Sequence, residues 1–280
     1  MTTTRRAACV IGWPVEHSRS PLIHNYWLKR YGIGGEYRRE PVRKEEFAAF
    51  IGTLAARGYV GANVTVPHKE AAFALSQPDE RARAVGAVNT IWLDGGVLRS
   101  TNTDVEGFLD NLDVCAPRWD RDAAKALVLG AGGAARAVLY GLLSRGVERI
   151  VVANRTTSRA EALQKAFGAR VQVADWARLE LQLADTALLV NTTTLGMHGQ
   201  PALALDLARL DRHATVADIV YVPVVTPLLA AAKARGLATA DGLGMLLHQA
   251  VRGFSLWFGK MPEVTGELRA LVEADLKAAT

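Results

Sequence analysis

The chain has 280 residues, half of them hydrophobic and 22% charged, with a formal net charge of +5. That is enough chain for two domains of ordinary globular composition. Its basic residues are scattered among acids, with no aromatic-studded basic tract to suggest nucleic acid and no uncharged run long enough to cross a bilayer, so anionic small molecules are the expected partners.

In chain order, Arg5 and Arg6 precede an apolar run that stops at Glu16-His17, too short for a signal peptide. Residues 7–12 read as a strand, and a helical pattern runs from Leu22 to Tyr31. Between them lies His17-Ser18-Arg19-Ser20-Pro21. The residue before a proline is biased to extended backbone, which points Ser18 and Ser20 to the same side. Two hydroxyls at a helix start can hold a carboxylate; equally, Ser20 followed by Pro21 is an ordinary N-cap arrangement. A second strand, Tyr37 to Val42, leads to an amphipathic helix, Lys44 to Arg57, with Phe47, Phe50, Ile51 and Leu54 inward.

The strand through Asn63-Val64-Thr65-Val66 puts Asn63 and Thr65 on one face, and Pro67 ends it. A helix then starts near His68 and continues through Leu75, so Lys69 sits in its first turn. The helix dipole opposes a cation there, and service as a proton donor is one use for such a placement. A solvated surface lysine is the other reading. Glu80 to Ala84 is a short helix; residues 86–93, the turn Asp94-Gly95-Gly96 and residues 97–99 form a hairpin. Asn102-Thr103-Asp104 opens a further helix, where Thr103 and Glu106 suit a capping box and Asp104 a first-turn acid.

After a polar link from Cys115 to Asp122, the apolar strand Ala126 to Leu129 runs into Gly130-Ala131-Gly132-Gly133-Ala134-Ala135, a G-x-G-x-x-A pattern. Its first glycine allows the tight turn, the second lets backbone approach a pyrophosphate, and Ala135 lets the helix sit close on the sheet. A second strand at Arg149 to Ala153 ends in Asn154-Arg155-Thr156, with Arg159 one turn on. An acid at this point would bind a ribose 2′-hydroxyl; two guanidiniums and no carboxylate suit a 2′-phosphate, so the expected cofactor is NADP. Further strands at 171–173, 187–190, 215–219 and 237–239 alternate with helices at 159–167, 176–179 and 227–235. The last recognisable element runs from Asp241 through Trp257. His248 has no second histidine at ligand spacing, and Cys9 and Cys115 read as reduced thiols of a cytoplasmic protein.

Taken together, Gly12-Trp13-Pro14, His17 to Pro21 with His24-Asn25, Asn63 to Lys69, Gly86 to Thr90, Asn102-Thr103-Asp104, Gly130 to Ala134, Asn154 to Thr156, Asn191 to Met197 and Asp241 to Ala250 closely resemble the shikimate dehydrogenase family, in family order and over nearly the whole chain. The resemblance implies an α/β fold: an N-terminal α/β substrate domain plus a Rossmann-type doubly wound NADP-binding domain. The expected boundaries are 1–104 with 241–280 packing back, a linking segment at 105–122, and 123–240 for the nucleotide domain. It implies that Ser18 and Ser20 bind the substrate carboxylate, that Asn63, Thr65, Asn89, Asp104, Tyr221 and Gln249 hold the ring hydroxyls and carboxylate end, and that Lys69 and Asp104 are the catalytic pair. Gly130, Ala131, Gly132, Gly133, Ala134, Asn154, Arg155, Thr156, Arg159, Ile219, Gly242 and Met245 would contact the cofactor, with Glu80 nearby. The expected protein is a cytoplasmic monomer or homodimer acting on 3-dehydroshikimate and shikimate, without metal, nucleic acid or membrane. Asn191-Thr192-Thr193-Thr194 departs conservatively from the commoner Asn-Ala-Thr-Ser. A quinate/shikimate enzyme preferring NAD, an aminoshikimate paralogue and a non-catalytic NADP-binding sensor are the alternatives.

Overall fold

Six of the seven residues of β1 (Arg6–Gly12) are buried, and the first sheet grows outward from this strand. The computed structural model describes residues 6–121 and 124–278, so the expected boundary at 122–123 lies outside the described residues. The chain divides into two units, Met1–Thr103 with Leu247–Thr280, and Asp104–Leu246.

In the first unit, β1 is followed by α1 (Ser20–Arg30), β2 (Gly35–Pro41), α2 (Phe47–Gly52), β3 (Tyr59–Val64) and α3 (Lys69–Leu75). Then come β4 (Gln77–Pro78), α4 (Glu80–Val85), β5 (Thr90–Asp94) and β6 (Val97–Thr101). The sheet order is β2-β1-β3-β5-β6-β4, with β1 parallel to both neighbours and the β5–β6 hairpin antiparallel to β3. One face is filled by Cys9, Ile11, Ala62, Val64 and the inward residues of α2, Phe47, Phe50 and Ile51.

The second unit holds α5 (Asp104–Cys115), β7 (Lys125–Leu129), α6 (Gly133–Ser144), β8 (Arg149–Ala153), α7 (Thr157–Phe167) and β9 (Val171–Ala174). It continues with a 3₁₀ segment at Trp176–Gln182, β10 (Leu188–Asn191), β11 (Thr215–Asp218), α8 (Pro227–Ala234) and β12 (Ala238–Ala240). All strands are parallel in the order β12-β11-β10-β7-β8-β9. Strand order therefore reverses between β7 and β10, the doubly wound arrangement in which ligands bind beyond the strand C-termini. The boundary between the units falls within α9 (Gly242–Phe258), and α10 (Gly266–Ala278) closes the chain.

Three expectations change. The helix expected over Lys44–Arg57 keeps only Phe47–Gly52, because the Thr53 hydroxyl donates to the Ala49 and Phe50 carbonyls (3.0 and 3.1 Å) that a continuing helix would use. The strand expected from Gly86 starts at Thr90, since the Gly86 N–H closes α4 on the Ala82 carbonyl. Helix α10 is an element beyond those expected; Leu268, Val272 and Leu276 bury its inner face. Among the described residues no helix is long and apolar enough to cross a membrane.

The first unit encloses an aromatic cluster. His24 stacks on Tyr37 with ring centroids 4.2 Å apart, and Trp27, Phe254 and Trp257 pack around it. Burial lowers the His24 pKa from 6.5 to about 3, against a smaller opposing effect of Asn63. Between those values the unfolded chain binds a proton that the folded chain refuses. This residue's contribution to stability is therefore full above its unfolded pKa and shrinks as pH falls through the window, with a limiting slope of about 1.4 kcal/mol per pH unit. Substituting His24→Phe should flatten the urea midpoint against pH between about pH 6 and pH 4 relative to the parent chain. Parallel profiles would show that His24 titrates normally.

Candidate active site

The loop after β1 delivers the two serines. Arg19 has helical backbone (φ −90°, ψ −5°), Ser20 is the first residue of α1, and the Ser20 N–H donates to Ser18 Oγ at 3.3 Å. This corrects both local expectations for Ser20, which is neither extended nor the cap. Pro21 has no N–H to satisfy, so the helix can start one residue earlier than a serine cap would require. Ser20 is buried and Ser18 half-buried.

From β3 the chain presents Asn63, buried, and just beyond it Thr65, half-buried. The Thr65 N–H donates to the Ile11 carbonyl at 2.9 Å, tying this turn to the end of β1. His68 is fully buried, stacks on Phe47 at 4.3 Å and meets the Val42 carbonyl through Nε2 at 2.7 Å. A carbonyl can only accept, so Nε2 carries the proton. Lys69 follows as the first helical residue of α3, half-buried, in the expected position.

Asn63, Asn89 and Gln249 meet in one buried hydrogen-bond network with Thr90 and Thr103. Asn63 Nδ2 donates to the Asn89 carbonyl (3.3 Å) and Thr90 Oγ1 (3.1 Å), and Thr90 Oγ1 donates on to Asn89 Oδ1 (3.1 Å). Asn89 Oδ1 also accepts the Thr103 N–H at 2.8 Å, and Asn89 Nδ2 donates to Gln249 Oε1 at 3.4 Å. The amide orientations follow from fixed backbone polarity: the Asn89 carbonyl only accepts and the Thr103 N–H only donates. Glu80, by contrast, is exposed in the first turn of α4 and takes no part in this network. His248 is half-buried, and burial lowers its pKa.

In the second unit the turn between β7 and α6 is built for close approach. Gly130 has φ +103°, and a Cβ there would lie 2.7 Å from Thr192 Oγ1. Gly132, extended, precedes α6 with no side-chain cap, and Gly132 and Gly133 are exposed, so the first N–H groups of this helix face open space. At the end of β8, Arg155, Thr156 and Arg159 are all exposed at the start of α7, whose first turn carries no acid and no side-chain cap. Asn154 Nδ2 donates to the Thr156 carbonyl at 2.8 Å. Across the sheet, a Cβ at Gly242 would lie 2.2 Å from the Ile219 carbonyl oxygen, and Met245 is buried one turn further along α9. Asp104 begins α5 and Tyr221 follows β11, both half-buried. Among the described residues no group of three or more histidine, cysteine or acidic side chains could hold a metal ion.

Two organising residues escape a reading of the sequence. Tyr37 donates to Asn63 Oδ1 at 2.6 Å, and burial pushes its phenol well above the usual value, keeping it a donor. Asp218, at the end of β11, accepts from Asn191 Nδ2 (3.0 Å), the Val220 N–H (3.0 Å) and the Thr226 hydroxyl (2.7 Å). Burial raises its pKa to about 6 despite these three donors. Asn191 Oδ1 in turn accepts from the backbone N–H (3.0 Å) and the hydroxyl (2.7 Å) of Thr193, so one carboxylate ties together the loops after β10 and β11. An Asn-Thr-Thr and an Asp at successive strand ends are the only signal the sequence offers.

Three family models match the chain: the shikimate dehydrogenase substrate binding domain at residues 10–91, shikimate/quinate 5-dehydrogenase at 116–198, and the shikimate 5′-dehydrogenase C-terminal domain at 242–271. The chain is 64% identical over 276 residues, 99% of each chain, to the shikimate dehydrogenase (NADP(+)) of Rhodopseudomonas palustris strain TIE-1. Among solved structures it is similar to the quinate dehydrogenase of Corynebacterium glutamicum in complex with NAD, at 33% identity and TM-score 0.88 over 96% of this chain and 99% of that one. It is similar also to the shikimate 5-dehydrogenase of Thermus thermophilus in complex with NADP(H) and shikimate, at 36% identity and TM-score 0.83 over 99% and 100%.

Removing the Asp218 carboxylate strands three buried or half-buried donors, each worth about 1–3 kcal/mol when unsatisfied. Asp218→Ala is expected to lower the urea-unfolding free energy by about 3 kcal/mol or more. Asp218→Asn should keep most of it, because its oxygen can still accept from Asn191 and Val220. A loss below about 1 kcal/mol in the alanine variant would mean the loops are held by other contacts.

Proposed function

The chain belongs to the shikimate dehydrogenase family, and from that premise we propose that it is an NADP-dependent shikimate dehydrogenase, catalysing the reversible reduction of 3-dehydroshikimate to shikimate within aromatic amino-acid biosynthesis. The full-length identity to an enzyme of that name carries the reading. The residues present agree with it. The uncapped start of α6 beside Gly130 and Gly132 fits a pyrophosphate, and Arg155 with Arg159 at the acid-free start of α7 fits a ribose 2′-phosphate. Ile219, Gly242 and Met245 would complete the cofactor wall. With both cysteines read as reduced thiols, we place the protein in the cytoplasm, as a monomer or homodimer.

When bound, the reduced nicotinamide supplies a hydride to the ketone carbon. The protein's own residues do the rest. Ser18 and Ser20 would take the substrate carboxylate, while Asn63, Thr65, Asn89, Tyr221 and Gln249 would hold the ring hydroxyls and the carboxylate end. Negative charge grows on the ketone oxygen as the reaction proceeds, and Lys69 would donate a proton or hydrogen bond to it. Asp104 would anchor the neighbouring hydroxyl and orient the lysine. In the direction of shikimate oxidation Lys69 would take the proton back.

Initial rates of nicotinamide reduction, with shikimate or quinate crossed against NADP or NAD, test the assignment. Shikimate with NADP should exceed the other three pairs. A preference for quinate with NAD would move the protein to a different activity within the family, and NADP binding without turnover of either acid would favour a sensor. Lys69→Ala should lose about a hundredfold or more in kcat with little change in the KM for NADP. A fully active variant would remove the lysine from the mechanism.

A further inference from the structure

Tyr37 lies on β2 and Asn63 on β3, separated by β1. In register Tyr37 stands opposite Ala8, and Asn63 opposite Val10. Ala8 and Val10 are two residues apart and so share a face, which places all four side chains on the same side of the sheet. The small Ala8 leaves room for the phenol ring to cross β1 and reach the Asn63 amide at 2.6 Å. The ring is held in turn by the His24 stack, 4.2 Å between centroids and 16° between planes.

This arrangement settles what Asn63 can offer a ligand. Both hydrogens of Nδ2 are committed, to the Asn89 carbonyl and to Thr90 Oγ1. One lone pair of Oδ1 is taken by Tyr37. The second lone pair of Oδ1 is the capacity that remains, so Asn63 accepts, and the group it recognises must donate. We propose that Tyr37 is a positioning residue of the substrate site: it fixes Asn63 as a hydrogen-bond acceptor for a substrate hydroxyl. The proposal rests on the reading of Asn63 as a substrate-binding residue given above.

Tyr37→Phe keeps the ring in its stack and removes only the hydroxyl. Steady-state kinetics of shikimate oxidation by Tyr37→Phe, Asn63→Ala and the double variant test the idea. Tyr37→Phe should raise the KM for shikimate about tenfold, with kcat within about twofold and the KM for NADP unchanged. In the Asn63→Ala background the same substitution should add less than about half of that effect on a logarithmic scale, since the two groups act as one unit. An unchanged shikimate KM in Tyr37→Phe alongside a raised one in Asn63→Ala would overturn the proposal and leave the site reading standing. Full additivity would also overturn it, by showing that the tyrosine acts elsewhere. No effect from Asn63→Ala would overturn both.

Discussion

An amide side chain shut away from water needs a partner for each donor and acceptor it carries, and the first unit is organised around that requirement. The Asn89 carbonyl and the Thr103 N–H have fixed polarity, and everything between them follows. Asn63 must turn its nitrogen to the first, Asn89 its oxygen to the second, and Thr90 must donate in one direction along the row. No member can turn over without setting like against like. A network satisfied in this way is rigid.

The second unit is organised by different means. Its parallel sheet reverses strand order between β7 and β10, which opens a crevice, and the crevice is edged by backbone. Gly130 takes a left-handed conformation against Thr192, and Gly242 brings α9 close to the Ile219 carbonyl. Asp218 then anchors the two loops that flank the opening through three hydrogen bonds. Desolvation works against that carboxylate, and the donors only partly offset it. The residue holds loop geometry at a cost in electrostatic energy.

How much of this could be read from sequence follows from the same contrast. Backbone chemistry leaves a local mark: the strand, glycine turn and helix from Lys125 to Ser144 stand where the pattern puts them, and Lys69 begins its helix as expected. Side-chain competition with the backbone is harder to see. Thr53 ends α2 early with one hydroxyl, and Arg19 rather than Ser20 precedes α1. Helix α10 does carry a start signal, a Thr265 hydroxyl accepting the Leu268 N–H, but it lies downstream of every motif that points to a ligand. Tyr37 is illegible for a stronger reason. Its partner is 26 residues away on a strand that is not its neighbour, so their meeting depends on β1 lying between them and on Ala8 being small. Alternation along a strand gives a face, but only register gives a pair.

The contrast also bears on which specificities this fold can exchange. Backbone N–H groups at a helix start meet the pyrophosphate of either dinucleotide alike, so they cannot distinguish NAD from NADP. The proposed 2′-phosphate contacts, Arg155 and Arg159, are exposed at the start of α7, outside the sheet. Substitutions at such positions typically change stability by less than about 0.5 kcal/mol. The residues proposed for the substrate ring have no such freedom. Asn63, Asn89, Thr90 and Thr103 are buried between β3, β5 and β6, and each is a partner of the next. Replacing one strands another, at about 1–3 kcal/mol per orphaned group. On the proposed assignment, cofactor preference is separable from folding in this chain, while recognition of the ring is part of the core that folds it.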